Sequence, residues 1–218
     1  MRFSPHPRTP SKAAAQLLAW VILSAVGLSV GAVLLMVSNK IILAYEDATP
    51  IPKAGLYILE ASRLLTFGLP GLTLAVSQWV FLRPLKGLRL WILATAVTFP
   101  LVAIAILGTS FAAAEPGPPF QQAIGLAVGT AIYCTPMAVV QWLLLRAHFQ
   151  NAALWLPGSY FGWLFALGFL VYGATAVVSP SAHSFPTLAA ALAAIQGAVT
   201  GVVLLSLKPK RSAPSPGA

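Results

Sequence analysis

Gln78-Trp79-Val80-Phe81-Leu82-Arg83 returns sixty-three residues later as Gln141-Trp142-Leu143-Leu144-Leu145-Arg146, two copies of Gln-Trp-x-x-Leu-Arg that each close a long apolar run. A polar amide and an indole about one turn ahead of an arginine mark the depth at which an apolar helix leaves hydrocarbon for water.

The likeness reaches further than six letters. Trp91 follows Gln78 by thirteen residues and Trp155 follows Gln141 by fourteen. The unit is therefore a helix ending in the repeat, a short turn, and a helix opening on tryptophan. An earlier segment carrying Trp20 looks like the first tryptophan-led helix, and Gln196-Gly197 looks like a third copy of the glutamine that has lost its tryptophan. The chain then divides into three helical hairpins. A two-helix unit returns the chain to the side it left, so the copies are parallel and any pseudo-symmetry axis runs along the membrane normal.

Composition assigns the solvent. Of 218 residues, 58% are hydrophobic and 8% charged, against roughly 25% charged in an ordinary soluble domain. Mean hydropathy is +0.85. So few charges cannot cover a water-soluble fold, and the expected class is an all-α polytopic membrane protein. The net charge of +9 does not indicate nucleic acid, because the basic residues flank apolar runs and are not interleaved with stacking aromatics. The single cysteine, Cys134, can form neither an intrachain disulfide nor a cysteine-based metal site.

Six apolar helices are expected at about 13–37, 57–82, 90–108, 120–145, 153–178 and 187–207, within a transmembrane domain spanning 13–207. The tail 1–12 is basic and proline-bearing, and 208–218 is basic and then Ser/Pro-rich; both fit solvated, irregular chain. The first apolar run is too long for the core of a cleavable signal and is read as an uncleaved helix. Ser38 to Ala54 is expected to be a polar connection with Ile41–Tyr45 along the interface, and Thr109 to Pro119 a loop. Pro70, Pro100 and Pro136 fall inside expected helices, and kinks are expected at Pro70 and Pro136.

Charge gives the orientation. Arg2, Arg8, Lys12, Arg83, Lys86, Arg89, Arg146, Lys208, Lys210 and Arg211 fall on one side of the expected spans, and Lys40, Lys53 and Arg63 on the other with all four acidic residues. By the positive-inside rule both termini are cytoplasmic, which requires an even number of crossings.

The pattern resembles a group of small bacterial membrane proteins, frequent in cyanobacteria, that carry repeated Gln-Trp-Leu-x-Leu-Arg hairpins. The resemblance rests on Gln78, Trp79, Leu82, Arg83, Gln141, Trp142, Leu145, Arg146, Trp91 and Trp155, and covers roughly 15–207. It implies a fold and a place in the bacterial cytoplasmic membrane, without an assigned activity.

Candidate chemistry is sparse. Trp79, Arg83, Trp91, Trp142, Arg146 and Trp155 read as interfacial anchors, with tryptophan at the boundary and arginine reaching lipid phosphate. Gln78, Gln141 and Gln196 should face the bundle, because an amide exposed to hydrocarbon is costly. There they serve either interhelical hydrogen bonds or a polar lining for a small ligand or headgroup. Four GxxxG pairs, Gly27/Gly31, Gly125/Gly129, Gly158/Gly162 and Gly197/Gly201, argue for tight helix packing. Glu60 and Arg63 are spaced to form an ion pair at the outer edge. His6, His148 and His183 have no metal-ligand spacing, and no nucleophile elbow or phosphate loop occurs, so neither a cofactor nor a metal is expected.

These features favour a non-enzymatic accessory, assembly or lipid-binding protein whose partners are the bilayer, a bound lipid or another membrane protein. The alternative is a small transporter or channel for a neutral or lipidic solute.

Overall fold

The computed structural model describes residues 10–48, 62, 65–85, 88–114, 119–169 and 185–210. Among them the regular structure is helical: α1 (Pro10–Ala48), α2 (Gly68–Leu82), α3 (Leu90–Ala114), α4 (Pro119–Leu145), α5 (Trp155–Phe169) and α6 (Phe185–Ser206), with a single 3-10 turn, Ala152–Leu154, leading into α5. Four stretches are long and apolar enough to cross a membrane, Pro10–Glu46, Gln121–Leu145, Ala152–Phe169 and Phe185–Ser206. Gly68–Leu82 and Leu90–Ile104 are shorter apolar stretches.

Several boundaries differ from those expected. The first helix does not stop near residue 37 but runs through Lys40 and Tyr45 to Ala48. No proline or glycine lies between Gly31 and Pro50, so nothing in the backbone chemistry interrupts the helix where the polar residues begin. The polar connection expected from Ser38 is thus helical for its first eleven residues. In the same way α3 passes Gly108 and ends at Ala114. The break expected at Pro70 falls one turn before it: Leu65 and Thr66 are helical, Phe67 is a turn residue, and α2 begins at Gly68. Pro70 has no N–H to give the carbonyl four residues back, which is where the helical path is interrupted. Pro100 and Pro136 lie inside continuous helices. The expected start of the second helix near 57 and the end of the fifth near 178 fall outside the described residues.

The helices close a ring in chain order. Each packs on the one that follows it, and α6 returns to pack on α1. Glycine sets how closely several seams approach. A Cβ on Gly27 would overlap Ser77 Oγ and come 2.8 Å from the Thr73 carbonyl oxygen, and one on Gly31 would overlap Pro70 and Thr73 of α2. At the seam between α2 and α3, a Cβ on Gly71 would overlap Phe99. Between α5 and α6, a Cβ on Gly158 would lie 2.5 Å from Val203 Cγ2, and one on Gly162 would lie 3.2 Å from the Gln196 carbonyl oxygen. On α6, a Cβ on Gly201 would lie 2.7 Å from Leu17 of α1, and one on Gly197 would lie 3.2 Å from Ser24 Cβ. Small residues at such crossings replace side-chain volume with backbone contact. Gly125 and Gly129 depart from this expectation, because a Cβ on either meets nothing described within 4 Å.

The surface is apolar and the polar groups are inside. Leu18, Ile22, Val26 and Val30 of α1, and Leu93, Val97 and Leu101 of α3, are exposed, whereas Ser24, Gln78, Thr95, Thr130, Gln141, Ser159, Gln196 and Thr200 are buried. Hydrocarbon-exposed helices distribute side chains in this way because the polar groups must find partners within the bundle. The apolar helices associate this chain with a membrane.

Candidate functional site

The interior has two apolar clusters. One gathers Trp20, Ala75, Phe81, Leu82, Leu88, Trp91, Leu145, Phe149, Ala152, Trp155, Leu204 and Leu207, around the helix ends that carry the Gln-Trp repeats. The other includes Leu28, Leu74, Phe99, Met137, Trp163 and Leu192. The polar side chains singled out by sequence meet beside the first.

Three tryptophans stand at its centre. Trp20, Trp91 and Trp155 are 1%, 0% and 1% exposed. Trp155 meets Trp91 edge-on with ring centroids 5.5 Å apart, and meets Trp20 edge-on at 6.4 Å. Phe81 adds a further edge contact to Trp20 at 5.5 Å. Such T-shaped contacts set the positive edge of one ring against the negative face of the next. Trp91 and Trp155 are therefore not lipid-facing anchors as expected. Each stands at the start of its helix as expected, but its side chain is buried within the bundle. Trp79 and Trp142 keep partial exposure, and the Arg146 guanidinium lies 5.6 Å over the Trp142 ring, a cation–π contact. Arg83 is exposed.

The indoles engage the glutamines. Trp91 Nε1 donates to Gln78 Oε1 at 3.2 Å, and Gln78 Nε2 donates to Ser24 Oγ at 3.2 Å. Trp155 Nε1 donates to Gln141 Oε1 at 3.2 Å, and Gln141 Nε2 donates to Thr95 Oγ1 at 2.9 Å. Each amide thus spans three consecutive helices, taking an indole N–H from the next and giving a hydrogen to a hydroxyl on the previous one. The hydroxyl partners have their own spacing: Ser24, Thr95 and Ser159 each stand four residues after a tryptophan, Trp20, Trp91 and Trp155. Sequence reasoning missed them, although Trp-x-x-x-Ser/Thr occurs at all three places.

The third constellation has the same residue types and a different bonding. Gln196 lies on α6 between Ser159 on α5 and Trp20 on α1, and all three are buried. Trp20 Nε1 donates instead to Thr200 Oγ1 at 3.2 Å, and Thr200 Oγ1 donates to the Gln196 main-chain carbonyl at 2.9 Å. Gln196 Oε1, Ser159 Oγ and Trp163 Nε1 are buried without a hydrogen-bond partner among the described residues.

Near the repeat end of α4 the backbone is stapled to the chain after α6. Gln150 N donates to the Lys208 carbonyl and Lys210 N to the His148 carbonyl, each at 2.9 Å. Asn151 adds its side chain, with Oδ1 accepting from Lys208 N at 2.6 Å and Nδ2 donating to the Ser206 carbonyl at 3.3 Å. Phe149 is buried beneath this bridge.

Among the described residues no three His, Cys, Asp or Glu side chains come together in a way that could hold a metal ion. Cys134 is a buried free thiol. Glu60, Arg63 and His183 lie outside the described residues. No family model, no curated protein and no solved structure matches this chain.

Proposed function

We propose that this chain is a six-span protein of the bacterial cytoplasmic membrane, built as three like-oriented helical hairpins with both termini in the cytoplasm. It acts without catalysis, by holding a lipid or a partner membrane protein. The bacterial setting rests on the resemblance carried by the Gln-Trp-x-x-Leu-Arg repeats.

The observation that carries this reading is the way the interior polarity is used. Gln78 and Gln141 make equivalent bonds to Trp91 and Trp155, so at two of three related places the amide is committed to joining helices. Polar groups fixed in this way strengthen a bundle and leave little to line a path. Trp155 of α5 touches both Trp20 of α1 and Trp91 of α3, so rings from alternate helices meet inside the bundle at that level. Both features weigh against the alternative, a small transporter or channel for a neutral or lipidic solute. The exposed apolar faces of α1 and α3 offer surface to lipid or to a partner helix.

Purification in mild detergent followed by mass spectrometry of the intact complex tests this reading. Bound lipid or a defined partner protein is expected. A strictly monodisperse monomer carrying neither would overturn it, and liposome flux lost on Gln78→Leu or Gln141→Leu would favour the transporter.

A further inference from the structure

Two glutamine stations are closed and the third is open, and one residue accounts for the difference. Four residues after each glutamine stand Leu82, Leu145 and Thr200. Leucine cannot compete for an indole N–H. Threonine can, and Thr200 Oγ1 accepts from Trp20 Nε1 at 3.2 Å. Gln196 Oε1 thereby loses the donor that Gln78 and Gln141 keep, and Ser159 Oγ lacks the amide that Ser24 and Thr95 engage. The helix that carries Ser159 also carries a buried donor that has no counterpart on α1 or α3. Trp163, one turn beyond Ser159 on α5, stands eight residues after Trp155, where the corresponding residues after Trp20 and Trp91 are Leu28 and Phe99. Its Nε1 is buried with no hydrogen-bond partner among the described residues. Gly162, between Ser159 and Trp163, lets α6 approach until a Cβ there would lie 3.2 Å from the Gln196 carbonyl oxygen.

Resting on the membrane-embedded reading above, we propose that the third station is a binding site for one hydroxyl group. Gln196 Oε1 can only accept, Trp163 Nε1 can only donate, and Ser159 Oγ does both. A hydroxyl supplies one hydrogen and two lone pairs, so it donates to Gln196 and accepts from Trp163 or Ser159. An ether or ketone lacks the hydrogen, and an ammonium lacks the lone pair. Buried polar groups left unpaired are unfavourable enough that such a place recruits a partner. The hydroxyl comes from water or from the alcohol head of a membrane-dissolved lipid.

The test uses the full chain in nanodiscs, labelled with 5-fluorotryptophan, with the Trp163 fluorine resonance identified by its loss in Trp163→Phe. Farnesol is the probe and farnesyl methyl ether its control. Farnesol is expected to shift the Trp163 resonance saturably, with the ether about tenfold weaker. Ser159→Ala and Gln196→Leu should each weaken farnesol about tenfold. Ser206→Ala, whose hydroxyl is exposed and bonds the Val203 carbonyl, should bind as the parent does. A Trp163 resonance silent to farnesol but shifted between H2O and D2O, with that shift lost in Ser159→Ala, assigns the hydroxyl to water and supports the site. A resonance that responds to neither, or a farnesol response unchanged in Ser159→Ala and Gln196→Leu, overturns it. Failure of this kind leaves a protein embedded in the disc, whereas failure of the membrane reading yields a chain that does not enter discs at all.

Discussion

Trp155 donates its indole N–H to Gln141 Oε1 across 3.2 Å, the same bond at the same length that Trp91 makes to Gln78. Removing the amide strands a buried indole N–H and a buried hydroxyl together. Gln78→Leu and Gln141→Leu are each expected to lower stability by about 1–2 kcal/mol, the range for interhelical polar contacts in membranes. Gln196→Leu, which removes a carbonyl group that has no partner among the described residues, should cost clearly less. Reversible SDS unfolding of the three variants measures this order, and equal losses at all three positions would contradict it.

The glycines divide by what faces them. Gly31→Ala would force a methyl group into Pro70 and Thr73 of α2, and overpacking of this kind costs about 1–3 kcal/mol. Gly129→Ala meets no described neighbour within 4 Å and should be neutral or slightly stabilising, since alanine is the better helix former by about 1 kcal/mol. Thermal melting in detergent separates the two substitutions. Comparable losses would mean that Gly129 lies at a close helix crossing.

Asn151 ties the turn after α4 to the chain after α6 through both of its amide atoms. Asn151→Ala should therefore loosen the segment around Lys208 and Lys210 while the helices stay intact. Limited trypsin digestion reads this as cleavage several-fold faster after Lys210, the Lys208–Pro209 bond being resistant to trypsin, with unchanged circular dichroism. No change in rate would show that the backbone pair of Gln150 with Lys208 and His148 with Lys210 is sufficient.

Where α2 and α4 end and where α3 and α5 begin was legible in the sequence, and rotation about each helix was not. Gln78 and Gln141 lie near the ends of α2 and α4, and Trp91 and Trp155 stand at the starts of α3 and α5. These helices are apolar on nearly every face, however, and no stripe tells which side turns inward. For this reason Trp91 and Trp155, expected at the lipid boundary, could not be recognised as the central aromatic contact. The glycine pairs carry the same ambiguity. Gly27/Gly31 and Gly125/Gly129 have identical spacing, but only the first pair meets a described neighbour. The far end of α1 was misplaced because charge and polarity suggested an exit, whereas the helix runs through Lys40 to Ala48; the far end of α3 was misplaced because Gly108 and the Pro/Gly-rich segment beyond it suggested an earlier stop, whereas the helix passes Gly108 and ends at Ala114.

Trp20→Phe separates shape from hydrogen bonding at the open station. The ring contacts with Phe81 and Trp155 are largely kept by phenylalanine, and only the donation to Thr200 is lost. A cost of about 1 kcal/mol or less is expected, in line with a single hydrogen bond. Trp20→Ala should cost about 3–5 kcal/mol through the cavity it leaves. Detergent unfolding of the two variants compares them, and equal effects would mean that the ring volume contributes nothing.

Reporter fusions test the six-crossing, three-hairpin architecture most directly. A cytoplasm-active and a periplasm-active reporter, each placed after Gly87, Gly117, Asn151, His183 and Ala218, should give a cytoplasmic signal at Gly87, Asn151 and Ala218 and a periplasmic signal at Gly117 and His183. A periplasmic signal after Gly87 or Asn151, or a cytoplasmic one after Gly117, would contradict three like-oriented pairs and the account built on them.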